Sequence, residues 1–204
     1  MKKRNRIITL IMVVLLVFTA CGANGSANSL VGKWTGQLDL TNQIVQNMVA
    51  TNASIEKYAK FENLQFTFVF EFTEEEVSVS IDEASTQQFV ANIKTGVADT
   101  VDAMVAGVAA ENNLTVDAVY SGMGVTRDAY VQSLIEEMEL EAMVQSIVAS
   151  LELKGAYEAD GETILIVYED NTYEEMKYVL GIEDLTITVS DGTNQYQIPC
   201  TKAK

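Results

Sequence analysis

Histidine is absent from this chain. Its absence removes the commonest general base, the usual partner of a nucleophilic serine or cysteine, and the commonest transition-metal ligand. The expectation is a protein that is not an enzyme and carries no cofactor and no metal. Cysteine is almost absent: Cys21 and Cys200 stand near opposite ends of 204 residues, which is no disulfide framework. There is a single proline, Pro199, and a single tryptophan, Trp34. Basic residues are scarce, 13 Lys and Arg against 29 Asp and Glu. So acidic a surface repels phosphates and anionic headgroups, whose binding needs clustered Lys or Arg, so no nucleic-acid partner is expected. Long apolar runs are missing too. The longest, Ile7 to Phe18, is broken only by Thr9 and falls short of the ~20 residues that a membrane helix needs.

That run follows Lys2, Lys3, Arg4 and Arg6 and leads into Val17-Phe18-Thr19-Ala20-Cys21-Gly22. A cationic start, a short apolar stretch and small residues at the cut make a secretory signal. The hexapeptide resembles the lipobox of bacterial lipoproteins. The resemblance implies that Cys21 becomes the first residue of the mature protein and bears a lipid, anchoring it to the extracytoplasmic face of the cell membrane. An ordinary secretory peptide ending near a cysteine is the alternative. On this reading residues 1–20 are the signal, 21–29 a small, polar, flexible tether, and 30–204 one domain. Loss of residues 1–20 removes four of the 13 basic side chains and no acidic ones, taking the formal charge from −16 to −20. With Cys21 acylated, Cys200 is a small apolar residue of the last strand; a Cys21–Cys200 bridge is the alternative without the lipid.

Period-2 alternation marks strands. Leu30, Gly32, Trp34, Gly36, Leu38 and Leu40 alternate with polar residues, and Trp34 is expected to point inward. In Leu64 to Phe72, Leu64, Phe66, Phe68, Phe70 and Phe72 share one face. The charged turn Glu74 to Glu76 joins this strand to Val77, Val79 and Ile81 as a hairpin. After residue 152 strands return. Asp160-Gly161 signals a hairpin between Lys154–Ala159 and Glu162–Tyr168. Tyr173 to Leu180, Leu185 to Ser190 and Gln195 to Thr201 follow, with turns at Gly181 to Asp184 and Asp191-Gly192. Pro199 fits an edge or bulge most easily.

Helical spacing takes over twice. Residues 41–62 carry Ile44, Val45, Met48, Ile55, Tyr58 and Ala59, with Thr41 as N-cap and a split possible at Thr51 to Ser54. Residues 84–152 carry one stripe through Phe89, Ile93, Val97, Val101, Met104 and Val108. A second runs through Val131, Leu134, Ile135, Met138 and Ala142 to Ile147 and Leu151. A short helix is predicted over Thr115 to Gly122, and Thr126 is an N-cap with Asp128 in the first turn.

Eight strands with short connections among the last five require an antiparallel meander, which eight strands can close into a barrel. The fold class is therefore α+β: an eight-stranded antiparallel up-and-down β-barrel with a helix after strand 1 and a large helical insertion, residues 84–152, between strands 3 and 4. Gly32-Lys33-Trp34 in a first strand before such a meander resembles the Gly-x-Trp opening of lipocalin-like (calycin) barrels. The layout resembles uncharacterised lipocalin-like lipoproteins of Gram-positive bacteria. The resemblance implies a packing role for Gly32 and Trp34; no arginine lies beyond Arg127 to pack across Trp34.

Phe66, Phe68, Phe70 and Phe72, with Trp34 and Tyr157, are either a solid core or the wall of an apolar ligand pocket. Glu169-Asp170-Asn171 with Glu174-Glu175 lacks the spaced ligands and glycine of an EF-hand and reads as a solvated loop. Met104, Met123, Met138 and Met143 give the insertion either an adaptable protein-binding face or a plain capping role. The functional expectation is a lipid-anchored extracytoplasmic binding module taking a small apolar ligand in the barrel beneath a helical lid. The alternative is a structural or chaperone-like surface lipoprotein acting on protein partners through its helices.

Overall fold

The computed structural model describes residues 29–190 and 194–203. The signal segment, Cys21, most of the tether and the Asp191-Gly192 turn lie outside the described residues. Eight strands form one closed antiparallel barrel in which each pairs with the next in sequence and the last returns to the first. They are β1 (Gly32–Asp39), β2 (Gln65–Phe72), β3 (Glu76–Ile81), β4 (Leu153–Ala159), β5 (Thr163–Val167), β6 (Tyr173–Leu180), β7 (Asp184–Ser190) and β8 (Gln195–Lys202). Helix α1 (Thr41–Thr51) follows β1, and α2 (Glu83–Glu111), α3 (Val116–Gly122), α4 (Arg127–Glu137) and α5 (Leu140–Leu151) lie between β3 and β4. The expected lipocalin-like architecture is thus present in strand number, order and the placement of its helices.

The alternation read from sequence is what closes the barrel. Phe66, Phe68, Phe70 and Phe72 of β2 are all buried, as are Val77 and Val79, Ile164 and Ile166, Leu185 and Ile187, and Ile198 and Cys200 on their own strands. Gly36 stands opposite Phe68 on one side and Cys200 on the other. A Cβ there would lie 2.6 Å from Cys200 Sγ and 2.7 Å from the Pro199 carbonyl oxygen, so only glycine lets β1 approach β8 this closely. The barrel is closed, and Pro199 lies where one of its ladders lapses. The β1–β8 ladder spans only Trp34 to Gly36 and stops at Cys200, one residue short of Pro199. The lost ladder makes a local edge where a missing N–H costs little.

Helix α2 springs directly from β3. Asp82 caps it by accepting from Ser85 N at 2.8 Å, and Ser85 Oγ in turn accepts from Thr67 N at 3.0 Å. At 29 residues it is about 43 Å long. Its first half belongs to the barrel core: Phe89, Ile93 and Val97 are buried in the same cluster as the strand side chains, and the Phe89 ring stacks on Phe66 at 4.2 Å. Leu140, Val144 and Val148 of α5 join that cluster. These helices all leave or enter at the end where β1 and β3 finish and β4 begins, so they plug that end of the barrel rather than cover a hollow. No helix among the described residues is long and apolar enough to cross a membrane.

Three local expectations need correction. Thr41 is not the N-cap of α1: Asp39 Oδ1 accepts from Thr41 N at 2.8 Å, and the Thr41 hydroxyl accepts from Leu64 N at 2.9 Å. The split offered at Thr51 to Ser54 is present: the helix ends at Thr51, and Ala53–Ile55 is a separate 3-10 turn. Along α2 the stripe beyond Val101 continues through Val105 and Ala109, while Val108 is exposed. A spacing of four keeps that face under Tyr120 and Val131, with which Val101 and Val105 form a second, smaller core. The second long helix is two helices. Glu139 sits in the left-handed region (φ 46°, ψ 41°), and the break turns α5 back toward β3 so that Leu140, not Met138, is buried.

Candidate functional site

The sequence-predicted residues separate into two groups. Trp34, Phe66, Phe68, Phe70 and Phe72 lie inside the barrel with at most 3% of their surface exposed. The rings of Phe68 and Phe70 stack at 6.0 Å. These five fill the barrel among the apolar side chains of the other strands. Tyr157 alone reaches an opening. Its ring stands edge-on to Phe72 at 5.2 Å, and its hydroxyl donates to the Thr73 carbonyl oxygen at 3.0 Å. Burial, and then the neighbouring Tyr178, raise its pKa.

That opening is a concavity of about 340 Å³ lined by Leu30, Glu74, Tyr157, Ala159, Tyr178 and Leu180. Each comes from the same end of the barrel: Leu30 just before β1, Glu74 in the β2–β3 turn, Tyr157 and Ala159 at the close of β4, Tyr178 and Leu180 at the close of β6. This is the end away from the helices. Inward parity puts Tyr157 and Ala159 on one strand face, and Tyr178 and Leu180 on another. Their joint position depends on barrel closure, which carries β4 and β6 to a common rim. A closed eight-strand meander implies that β4 and β6 end at the same rim, so the sequence did hold a signal for Tyr178 and Leu180. The size is at the low end of ligand sites, roughly 300 Å³ upward. A second concavity of similar volume, lined by Thr35, Gly36, Gln37, Thr67, Pro199 and Thr201, lies along β8, β1 and β2.

Trp34 ties the rim to the core. Its indole N–H donates to the Leu30 carbonyl oxygen at 2.7 Å, which holds the chain ahead of β1 against the mouth. The Lys202 ammonium lies 5.1 Å from the centre of its ring. The cation across this tryptophan is therefore a lysine from β8. Gly32 makes room for it: at φ 131°, where an L side chain is strained, a Cβ would fall 2.8 Å from Lys202 Cε. This is the packing role expected of Gly32 and Trp34.

Asp170 Oδ1 accepts from Thr172 N and Oγ1, and the Tyr168 hydroxyl donates to Glu174 Oε2 at 2.7 Å, so the acidic β5–β6 loop is internally bonded. Among the described residues no group of three or more Cys, Asp or Glu could hold a metal ion. Met123, Met138 and Met143 are exposed on the helical block. Comparison with models of protein families, with curated proteins and with solved structures returns no match.

Proposed function

We propose that the chain is a lipid-anchored, extracytoplasmic binding module of lipocalin-like type that takes a small apolar ligand at the barrel mouth opposite its helices. It has no catalytic role. The observation that carries this reading is the concavity framed by Leu30, Tyr157, Tyr178 and Leu180 above an otherwise filled interior. The Val17 to Cys21 segment supports the anchor and the compartment. Leu30 is nine residues beyond Cys21, a reach of at most ~30 Å when extended, so an anchored chain would hold its mouth within that distance of the bilayer.

Native mass spectrometry of protein taken from its host's membranes tests both halves. The expected result is acyl mass on Cys21 together with a small bound molecule that a Tyr157→Ala, Leu180→Glu variant does not retain. A chain that is always empty overturns the ligand; an unmodified Cys21 overturns the anchor.

A further inference from the structure

Glu74 is the one carboxylate in the described wall of the mouth, and the Lys202 ammonium, brought to the same rim by pairing with Trp34, is engaged over the Trp34 ring. Among the described residues no Lys or Arg pairs with Glu74. The turns around the same rim add Glu75, Asp160, Glu162 and Glu183, none of them in an ion pair among the described residues. The remainder of the wall is Leu30, Ala159, Leu180 and two tyrosine rings. A neutral apolar molecule seated there would strip water from the Glu74 carboxylate without replacing it, and an anion would be repelled. An ammonium group would compensate the charge, and tyrosine faces add cation–π attraction.

We infer that the mouth selects a cationic amphiphile, its ammonium head beside Glu74 and its apolar tail or ring against Leu30, Tyr157, Tyr178 and Leu180. The inference rests on the mouth being the ligand site proposed above and specifies the ligand's charge. A volume of about 340 Å³ restricts the seated part to a short chain or single ring.

The test uses the full-length chain in nanodiscs of zwitterionic lipid, with empty discs as reference. Hexylammonium, hexanol and hexanoate are titrated while following the fluorescence of Trp34, the single tryptophan, whose indole N–H is bonded to Leu30 in the wall. Hexylammonium is expected to bind about fivefold more tightly than hexanol, the upper scale of one solvent-exposed ion pair. Hexanoate should not bind, and Glu74→Gln should bring the cation down to the level of hexanol. Equal affinity for hexylammonium and hexanol, or a cation preference unchanged in Glu74→Gln, overturns the charge assignment and leaves the mouth as an apolar site. No response to any of the three overturns the mouth as a ligand site altogether.

Discussion

Gly36 shows how one residue without a side chain governs the approach of two strands, β1 and β8. Its built Cβ meets a sulfur, a methyl group and a backbone carbonyl oxygen, the first two from side chains fully enclosed in the barrel. The carbonyl belongs to Pro199 and cannot turn aside. Gly36→Ala is therefore expected to destabilise the fold by about 1–3 kcal/mol, as overpacking of a filled core does. Urea denaturation checks it; an unchanged midpoint would mean that β1 and β8 can part without loss. The inward phenylalanines of β2 were legible in the sequence because strand parity depends only on local backbone geometry. Lys202 over Trp34 was not, since 168 positions separate the two and only the β1–β8 closure brings them together.

Among the elements, the helical block is built in two parts. Near the barrel, α2 and α5 share its core; farther out, α2, α3 and α4 enclose only Val101, Val105, Tyr120 and Val131. That outer part is joined to α2 by Arg127, whose Nε and Nη2 donate to the two carboxylate oxygens of Asp102 at 2.9 and 2.7 Å. The guanidinium holds the Asp102 carboxyl below its usual range. Both side chains are more than a third exposed, so solvent screening keeps the pair's contribution small despite its forked geometry. Arg127→Met should accordingly speed amide hydrogen exchange in α3 and α4 by up to about fivefold and leave the barrel strands unchanged. A uniform acceleration would show that the two cores open as one. Thr126 was recognisable as a cap and does accept from Ala129 N, and Thr115, read only as a helix start, accepts from Ala118 N in the same way. The break at Glu139 was not recognisable, because glutamate favours helix and nothing local marks a left-handed residue there.

For the molecule as a whole, the filled barrel sets a limit on alkaline stability. Burial pushes the Cys200 thiol up to about 12 from an ordinary value of 9.0. Burial, then the hydrogen bond to Glu174, pushes Tyr168 up to about 12 from 10.0. Between those values the unfolded chain loses these protons while the folded chain keeps them. Their contribution is thus fully present below about pH 9 and is lost as the pH rises toward 12. Urea midpoints are expected to fall across that interval, with a shallower decline in Cys200→Ala. A parallel decline in the variant would remove the thiol from the account and leave Tyr168 and the growing negative charge as its cause. The thiol itself should resist maleimide until the barrel unfolds.

Acting alone, the sequence determined the strands, their inward faces, the described hairpin turns, the Thr126 cap and the two blocks of helix, because each depends on a period or a dihedral preference within a few residues. Even the number and order of strands in the barrel followed from connections too short for anything but antiparallel neighbours. Only the tertiary structure decided that the helices plug one end, that the phenylalanine row is enclosed by other strands, and that Leu30 and Glu74 join Tyr157 and Tyr178 around the other end. Those outcomes depend on where a closing sheet brings distant residues to one rim, and that is set by the packing of all eight strands together.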